Sequence, residues 1–487
     1  MITDYKTALK ATTLFGGVQI FRIIINMLRL KLIAIILGPS GFGLIGLYNT
    51  LITFIQSITS FGLSSSAVRD ISAADINHKP KIVTALYHWF FGTGILGAIV
   101  MILFSPIISK WTFENYNYIF SIIILSTAVL FQTVNSGELA ILQGYRDMKS
   151  IAKVHVLGSI IGLLISLPIF LIWKDKGIVP SIILSSFLLF IISNSYVRRL
   201  RIKYVKSKIQ ESFLMGKQSL KLGLMLSLSA VLVSFVDLLL KSFLTKQSGT
   251  EIVGLYQAGW TITTSYIGLV LTAMSTDFFP RLSNVINDKL QTKIIVTQQL
   301  EIAITILGPL VTIMITFLPF FVNLLYTKDF TSIIPMTMIM LLGAIFKTVS
   351  WGISYIFLAK GDGKHFFFNE LLINIVVLFT SIFLFYFWGL VGIGIAYSLN
   401  YFIYFVLVYF RAKNIYNFAF VKGFWFFLAK YFFICFLTFI SLFLIGYNII
   451  GYLVGIFLST IMIIMSVNEI NKVFNFLPLL RKYSINK

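Results

Sequence analysis

Charge is what this sequence holds least of. Only 11% of its 487 residues are Asp, Glu, Lys or Arg, against about 25% in an ordinary soluble domain. Acids are the scarcer sign, 17 against 39 Lys and Arg. No polar block is large enough to make a soluble domain. A single cysteine, Cys435, excludes a disulfide within the chain, and in its apolar run it reads as a small buried hydrophobe. The four histidines, His78, His88, His155 and His365, have no ligand spacing, so a metal site is not expected. GxSxG, Walker A, HExxH and CxxC are all missing, and GDG at 361–363 is a tight turn. Soluble-enzyme chemistry therefore does not assemble, no cofactor is expected, and the chain cannot hydrolyse ATP itself. Uphill work must draw on an ion gradient, the membrane potential or removal of product.

What is present is apolar. Hydrophobic residues make up 58%, including 48 Phe and 22 Tyr, and mean hydropathy is +0.93. Runs of about 20 apolar residues give fourteen expected spans: 7–37, 42–68, 82–105, 118–142, 152–173, 178–197, 222–244, 252–279, 294–318, 333–359, 366–387, 390–410, 423–446 and 449–467. The expected fold is an all-α polytopic membrane protein. The first span lacks the features of a removable signal peptide and is read as a permanent helix. The net charge of +22 does not point to nucleic acid, because its positions follow the loops. With the N-terminus inside, 28 Lys and Arg fall on the inner side and 5 on the outer. That bias predicts both termini in the cytoplasm.

The most basic run, RRLRIKYVKSKIQESFLMGKQSLK (198–221), follows six spans and divides the chain. The predicted organisation is an N-lobe at 1–200, a basic linker at 201–221, a C-lobe at 222–411, and two further helices with a tail at 412–487. IGLY (45–48) recurs as VGLY (253–256). Applied without gaps, that offset of 208 sets GPSGFGLIGLY against KQSGTEIVGLY, Arg29 against Asp237, and Arg69 against Asp277. Two parallel repeats related by an axis along the membrane normal are the expectation.

Charges inside the spans are the candidate site, since each costs about 2.5–3.5 kcal/mol at a helix centre. Thr12, Gln19, Arg22, Asn26 and Arg29 form one helical stripe, which must face protein or water. Lys31 lies on the other side near the outer end and is expected to snorkel. In the seventh span Ser227, Ser234, Asp237 and Lys241 make a comparable stripe; Asp237 and Lys241, at i and i+4, read either as a packing pair or as an ion-coupling site. Lys347 in the tenth span, amid Ser350, Trp351, Ser354 and Tyr355, is the second cavity cation. Arg69, Glu138, Asp277, Glu301 and Glu370 lie near inner helix ends, where pairing or a cytoplasmic gate explains them. The excess of Arg22, Arg29 and Lys347 over Asp237 suits an anion, and the planar fork of Arg suits phosphate.

Three stretches carry a family resemblance: LGPSGFGLIGLYNTLITFIQSITSFGLSSSAVRD (37–70), QGYRDMKSIAK (143–153), and VGLYQAGWTITTSY with FFPRLS (253–283). They resemble the polysaccharide-transporter branch, of O-antigen flippase (Wzx) type, within the multidrug/oligosaccharidyl-lipid/polysaccharide exporter superfamily. The likeness covers roughly residues 5–411. It implies two six-helix lobes around a central V-shaped cavity and alternating access; the two further C-terminal helices, read from their apolar runs, are absent from many members of the family. The implied cargo is an undecaprenyl-pyrophosphate-linked oligosaccharide moved from the cytoplasmic to the periplasmic leaflet of the inner membrane. Such flippases often use an ion gradient, and a polysaccharide polymerase and a chain-length regulator are the protein partners the resemblance would bring. It places Arg22 and Arg29 in the cavity. A multidrug antiporter predicts acids there instead, and a membrane-embedded polymerase or glycosyltransferase predicts a large outer loop, which this chain lacks.

Overall fold

A helix crossing a bilayer core of about 30 Å needs about 20 residues, and several apolar runs here are far longer. In the computed structural model, which describes residues 2–75, 78–202 and 209–474 and the side chains of 24–75, 78–202, 227–275 and 277–471, ten stretches are long and apolar enough to cross. Four of them, 36, 52, 49 and 54 residues long, are each interrupted near the middle. Counting both arms of each gives fourteen crossings, as the apolar runs predict.

The order is α1 (Ile2–Thr59), α2 (Leu63–Ala73), α3 (Lys79–Leu103), α4 (Ser105–Phe113), α5 (Ile119–Gly144), α6 (Met148–Trp173), α7 (Ile178–Arg199), α8 (Ile209–Val285), α9 (Lys289–Thr316), α10 (Leu318–Leu325), α11 (Ile334–Ala359), α12 (Gly363–Tyr416), α13 (Phe424–Ile445) and α14 (Ile449–Phe474). Breaks fall at Gly38 (φ 62°, ψ −169°), Gly249 (φ 79°, ψ −179°) and Gly389 (φ 55°, ψ −135°), and a 3-10 turn, Lys174–Gly177, parts α6 from α7. Positive φ with such ψ is open essentially to glycine alone. The second expected span, 42–68, is shorter than the apolar run suggests. It stops at Thr59 because Phe61 and Gly62 turn to φ 49° and 66° before α2 begins.

The repeat is real, but its register is not the one IGLY and VGLY suggest. Gly38 and Gly249 break equivalent helices. Beyond them Gly43 and Gly254 meet reciprocally: a Cβ on Gly43 would lie 2.0 Å from the Thr250 carbonyl oxygen, and one on Gly254 would lie 1.8 Å from that of Pro39. All three equivalent pairs, Gly38/Gly249, Pro39/Thr250 and Gly43/Gly254, stand 211 residues apart. The equivalence of Arg29 with Asp237, and of Arg69 with Asp277, is thereby withdrawn; Arg29 corresponds to Leu240. Later in each half the offset is 215: Arg146 and Gly361 both take positive φ, 58° and 69°, and Asp147 and Asp362 then cap α6 and α12 through Ser150 N and His365 N.

By contact the chain forms two units: the first runs to Gly254 and includes Leu325–Asp329, and the second is Leu255–Leu324 with the chain from Phe330 onward. The seventh span is therefore grouped with the first six, whereas the expected linker, 201–221, falls largely outside the described side chains. In the first unit Leu63 and Ile71 of α2, Leu86 and Phe90 of α3, Ile141 of α5, Val154 of α6 and Val197 of α7 share one buried cluster. In the second, α11 lies along α12, and both α13 and α14 pack on α9. Large side chains such as Phe379, Phe383 and Phe387 of α12 and Phe426, Phe433 and Leu444 of α13 are exposed, as lipid-facing positions require.

Candidate functional site

Arg29 sits nine residues before the break at Gly38, about 13 Å along the helix at 1.5 Å per residue. That is near the middle of an apolar layer. Its Nε is enclosed and has no partner, and among the described residues the guanidinium makes no hydrogen bond or ion pair. Alpha6 leaves room for it at Gly162, where a Cβ would stand 3.4 Å from Arg29 Nη1. A buried polar group without a partner costs about 1–3 kcal/mol, and more when charged. Among the described residues nothing offsets that cost, and the guanidinium keeps donors still to be used.

Asn26, one turn earlier, is exposed. The side chain of Arg22 lies outside the described residues. Lys31 does not snorkel: its ammonium donates to the carbonyl of Tyr326, whose fully buried ring meets Phe42 edge-on at 5.5 Å. A long basic side chain near a helix end finds a backbone carbonyl here, brought by a segment 295 residues away, which no local pattern could reveal.

Asp237 and Lys241 come together, but not with Arg29. Lys241 Nζ lies 2.8 Å from Asp237 Oδ2 and 2.6 Å from Thr50 Oγ1, and the Thr50 hydroxyl donates to the same carboxylate at 2.9 Å. One turn away Ser234 and Ser57 hydroxyls meet at 2.8 Å. The seventh-span stripe is therefore turned onto the second arm of α1, and its charge is internally neutral.

In the second unit Lys347, midway along α11, has its ammonium 5.9 Å from the ring centre of Tyr397 and 5.2 Å from that of Tyr401. Trp260 closes edge-on against Tyr397 at 5.6 Å. The two tyrosines were not singled out by sequence, although their i, i+4 spacing on an apolar arm carried the signal. Rings at that distance steady an ammonium without neutralising it.

The residues near helix ends scatter. Arg69 pairs with its neighbour Asp70 at 2.6 Å, and Asp277 with Arg281 at 2.8 Å. Glu138 is wholly buried between α5 and α7, accepting from Ser193. Glu301 of α9 lies within electrostatic reach of Glu469 of α14. Outside the spans, Asp362 accepts from the Tyr416 hydroxyl at 2.6 Å, and from His365 Nδ1 at 2.8 Å as well as its backbone N–H at 3.2 Å. Burial alone would raise its carboxyl, but these bonds and the adjacent imidazole hold it below the usual range. Among the described residues no group of His, Cys, Asp and Glu could hold a metal ion.

Comparison with known proteins places this geometry. A family model described as "Polysaccharide biosynthesis protein" matches residues 32–335. The lipid III flippase of Escherichia coli (strain K12) is 22% identical over 390 residues, covering 77% of this chain and 91% of that one, and the lipid III flippase of Shigella flexneri matches equally. Among solved structures, the lipid II flippase MurJ in an inward closed conformation superposes with a TM-score of 0.74 at 15% identity, over 94% of this chain and 99% of that one. An inward-facing multidrug resistance MATE family transporter of the MOP superfamily gives 0.69 at 17% identity, over 81% and 94%.

Proposed function

The chain belongs to the polysaccharide biosynthesis protein family, and on that premise we propose that it is a flippase for a lipid-linked oligosaccharide. The relatives that it matches over most of their length are lipid III flippases, and the fold is that of a lipid II flippase. The finer reading is an undecaprenyl-pyrophosphate-linked repeat unit of a surface polysaccharide such as O-antigen. It would pass from the cytoplasmic to the periplasmic leaflet by alternating access, with both termini in the cytoplasm as the 28 to 5 charge bias directs.

The observation that carries this reading is Arg29: a guanidinium at mid-depth, its Nε enclosed, that meets no carboxylate among the described residues. A pyrophosphate offers the paired acceptors that its fork requires. Lys347 is the candidate cation of the second unit taken by itself, a point charge on a flexible stem held over two rings. Arg22, on the same helical stripe, would meet the headgroup on entry. Asp237 and Lys241 neutralise one another and support the helices that present Arg29.

The test is export of glycan in cells that depend on this protein. Arg29→Ala should abolish it while the protein inserts at normal levels, since losing one partner of a desolvated charged contact costs about 2–5 kcal/mol. Arg29→Lys should restore part, because it returns charge without the fork, and Lys347→Met should reduce export less than Arg29→Ala does. Wild-type export by Arg29→Ala would overturn the phosphate reading.

A further inference from the structure

Glu370 lies seven residues into α12, about 10 Å from its start, and is partly buried. Tyr404, on the second arm of the same helix, is buried with its hydroxyl 2.5 Å from Glu370 Oε1 and 3.2 Å from Ser354 Oγ of α11. Ser354 Oγ in turn stands 2.8 Å from the carbonyl oxygen of Ser350. The result is a file of three contacts in series, ending on an acceptor that can only accept.

Hydrogens can be counted along this file. A tyrosine and a serine hydroxyl each own one, and a carbonyl owns none. If Glu370 is ionised, two hydrogens must serve three contacts: Tyr404 donates to the carboxylate, Ser354 donates to Ser350, and the Tyr404–Ser354 contact is left as two facing oxygens. If Glu370 is protonated, every contact is served in one direction. The carboxyl donates to Tyr404, Tyr404 to Ser354, and Ser354 to the Ser350 carbonyl.

Among the described residues no neighbouring charge offsets an ionised form, and Glu370 has no ion pair. The titratable group facing it from the packed arms is the Tyr404 hydroxyl, which itself lies within electrostatic reach of Tyr401. Lys347 of α11 rests over the rings of Tyr397 and Tyr401, and Arg411 donates to Asn369 at 2.6 Å and lies over Phe368. His365, one turn earlier, is taken by Asp362. This contrasts with Asp237, whose charge is met by Lys241. A carboxylate in low dielectric without a cation is costly, and the usual resolution is a proton.

We propose that Glu370 is a proton-binding site of the second unit: it carries a proton in this conformation, donated to Tyr404, and releases it to water when α11 and the two arms of α12 part. On release the carboxyl O–H bond breaks, the electron pair stays on Glu370 as carboxylate, and Tyr404 turns its hydrogen to that oxygen. Since the protonated form completes the file only while the three segments are packed, protons favour this arrangement over any that separates them.

Infrared spectroscopy of the purified full-length protein in lipid nanodiscs at neutral pH tests this without reference to cargo. The wild type should show a protonated-carboxyl C=O band that is lost in Glu370→Gln. Tyr404→Phe keeps the ring and removes the acceptor, so it should shift that band without abolishing it. Should Glu370→Gln fail to insert, the shift in Tyr404→Phe decides alone. Absence of the band, or an unmoved band in Tyr404→Phe, overturns the assignment. Because no glycolipid is present, failure here is distinct from failure of the flippase reading.

Discussion

Lys241 and Asp237 form an ion pair of 2.8 Å one helical turn apart, and Thr50 of α1 bridges them with bonds of 2.6 and 2.9 Å. The lysine side chain is only 6% exposed while the carboxylate is 33% exposed, so the two ends of the pair are unequal. Removing Asp237 strands a buried ammonium.

Asp237→Asn should therefore destabilise the protein toward the low end of the about 3–5 kcal/mol typical for breaking a buried pair, read as a lowered thermal midpoint in detergent. Asp237→Asn with Lys241→Met should recover most of that loss, because no charge is then left unpaired. A single variant as stable as the wild type would show that water reaches Lys241 after all.

Gly162 governs the space beside Arg29. Gly162→Ala adds a methyl at ordinary van der Waals distance, 3.4 Å from Nη1, and should leave export near normal. Gly162→Leu fills the place of the guanidinium and should imitate Arg29→Ala in export while expression holds. Full export by Gly162→Leu would mean that Arg29 works in some other orientation.

The fourteen spans were legible because hydrophobic length is written directly into composition, and the breaks at Gly38, Gly249 and Gly389 were marked by glycine. The intramembrane charges of Arg29, Asp237, Lys241 and Lys347 were also plain, since each costs too much to be incidental. Partners were not. Lys31 with Tyr326, Lys347 with Tyr397 and Tyr401, and Glu370 with Tyr404 join residues separated in the chain by more than a helical turn, and periodicity reports faces without naming what they touch. The repeat was misregistered by three residues because IGLY and VGLY match by letters, whereas the fold equates single positions set in unlike surroundings: the backbone approach of Gly43 with Gly254, and the positive-φ turn and Asp cap of Arg146–Asp147 with Gly361–Asp362.

Asp362 gives a pH prediction whose sign follows from its lowered carboxyl. A group depressed in the folded state contributes stability that is present above the unfolded value, about 3.9 for Asp, and that is lost as pH falls through the folded value. Acid unfolding should thus be less steep in Asp362→Asn than in the wild type below about pH 4, with the neutral-pH stability lowered by loss of the α12 cap. Tyr416→Phe should fall between the two. Identical acid limbs for wild type and Asp362→Asn would remove the cap and its hydroxyl from the account.

The crossing of Gly43 and Gly254 yields the last prediction. A Cβ on either glycine would sit within 2.0 Å of a backbone carbonyl, that of Thr250 or that of Pro39, and a backbone oxygen cannot turn aside as a flexible side chain would. Gly43→Ala and Gly254→Ala should each force the two helices apart and cost about 1–3 kcal/mol, as overpacking does. Once one methyl has opened the crossing, much of the room for the second already exists. The double variant should therefore lose less than the sum of the singles, the departure from additivity expected of sites in contact. Thermal unfolding of the three variants beside the wild type measures this. Additive losses would mean that the glycines act separately, and a Gly254→Ala protein as stable as the wild type would mean that the two hairpins do not cross at this distance.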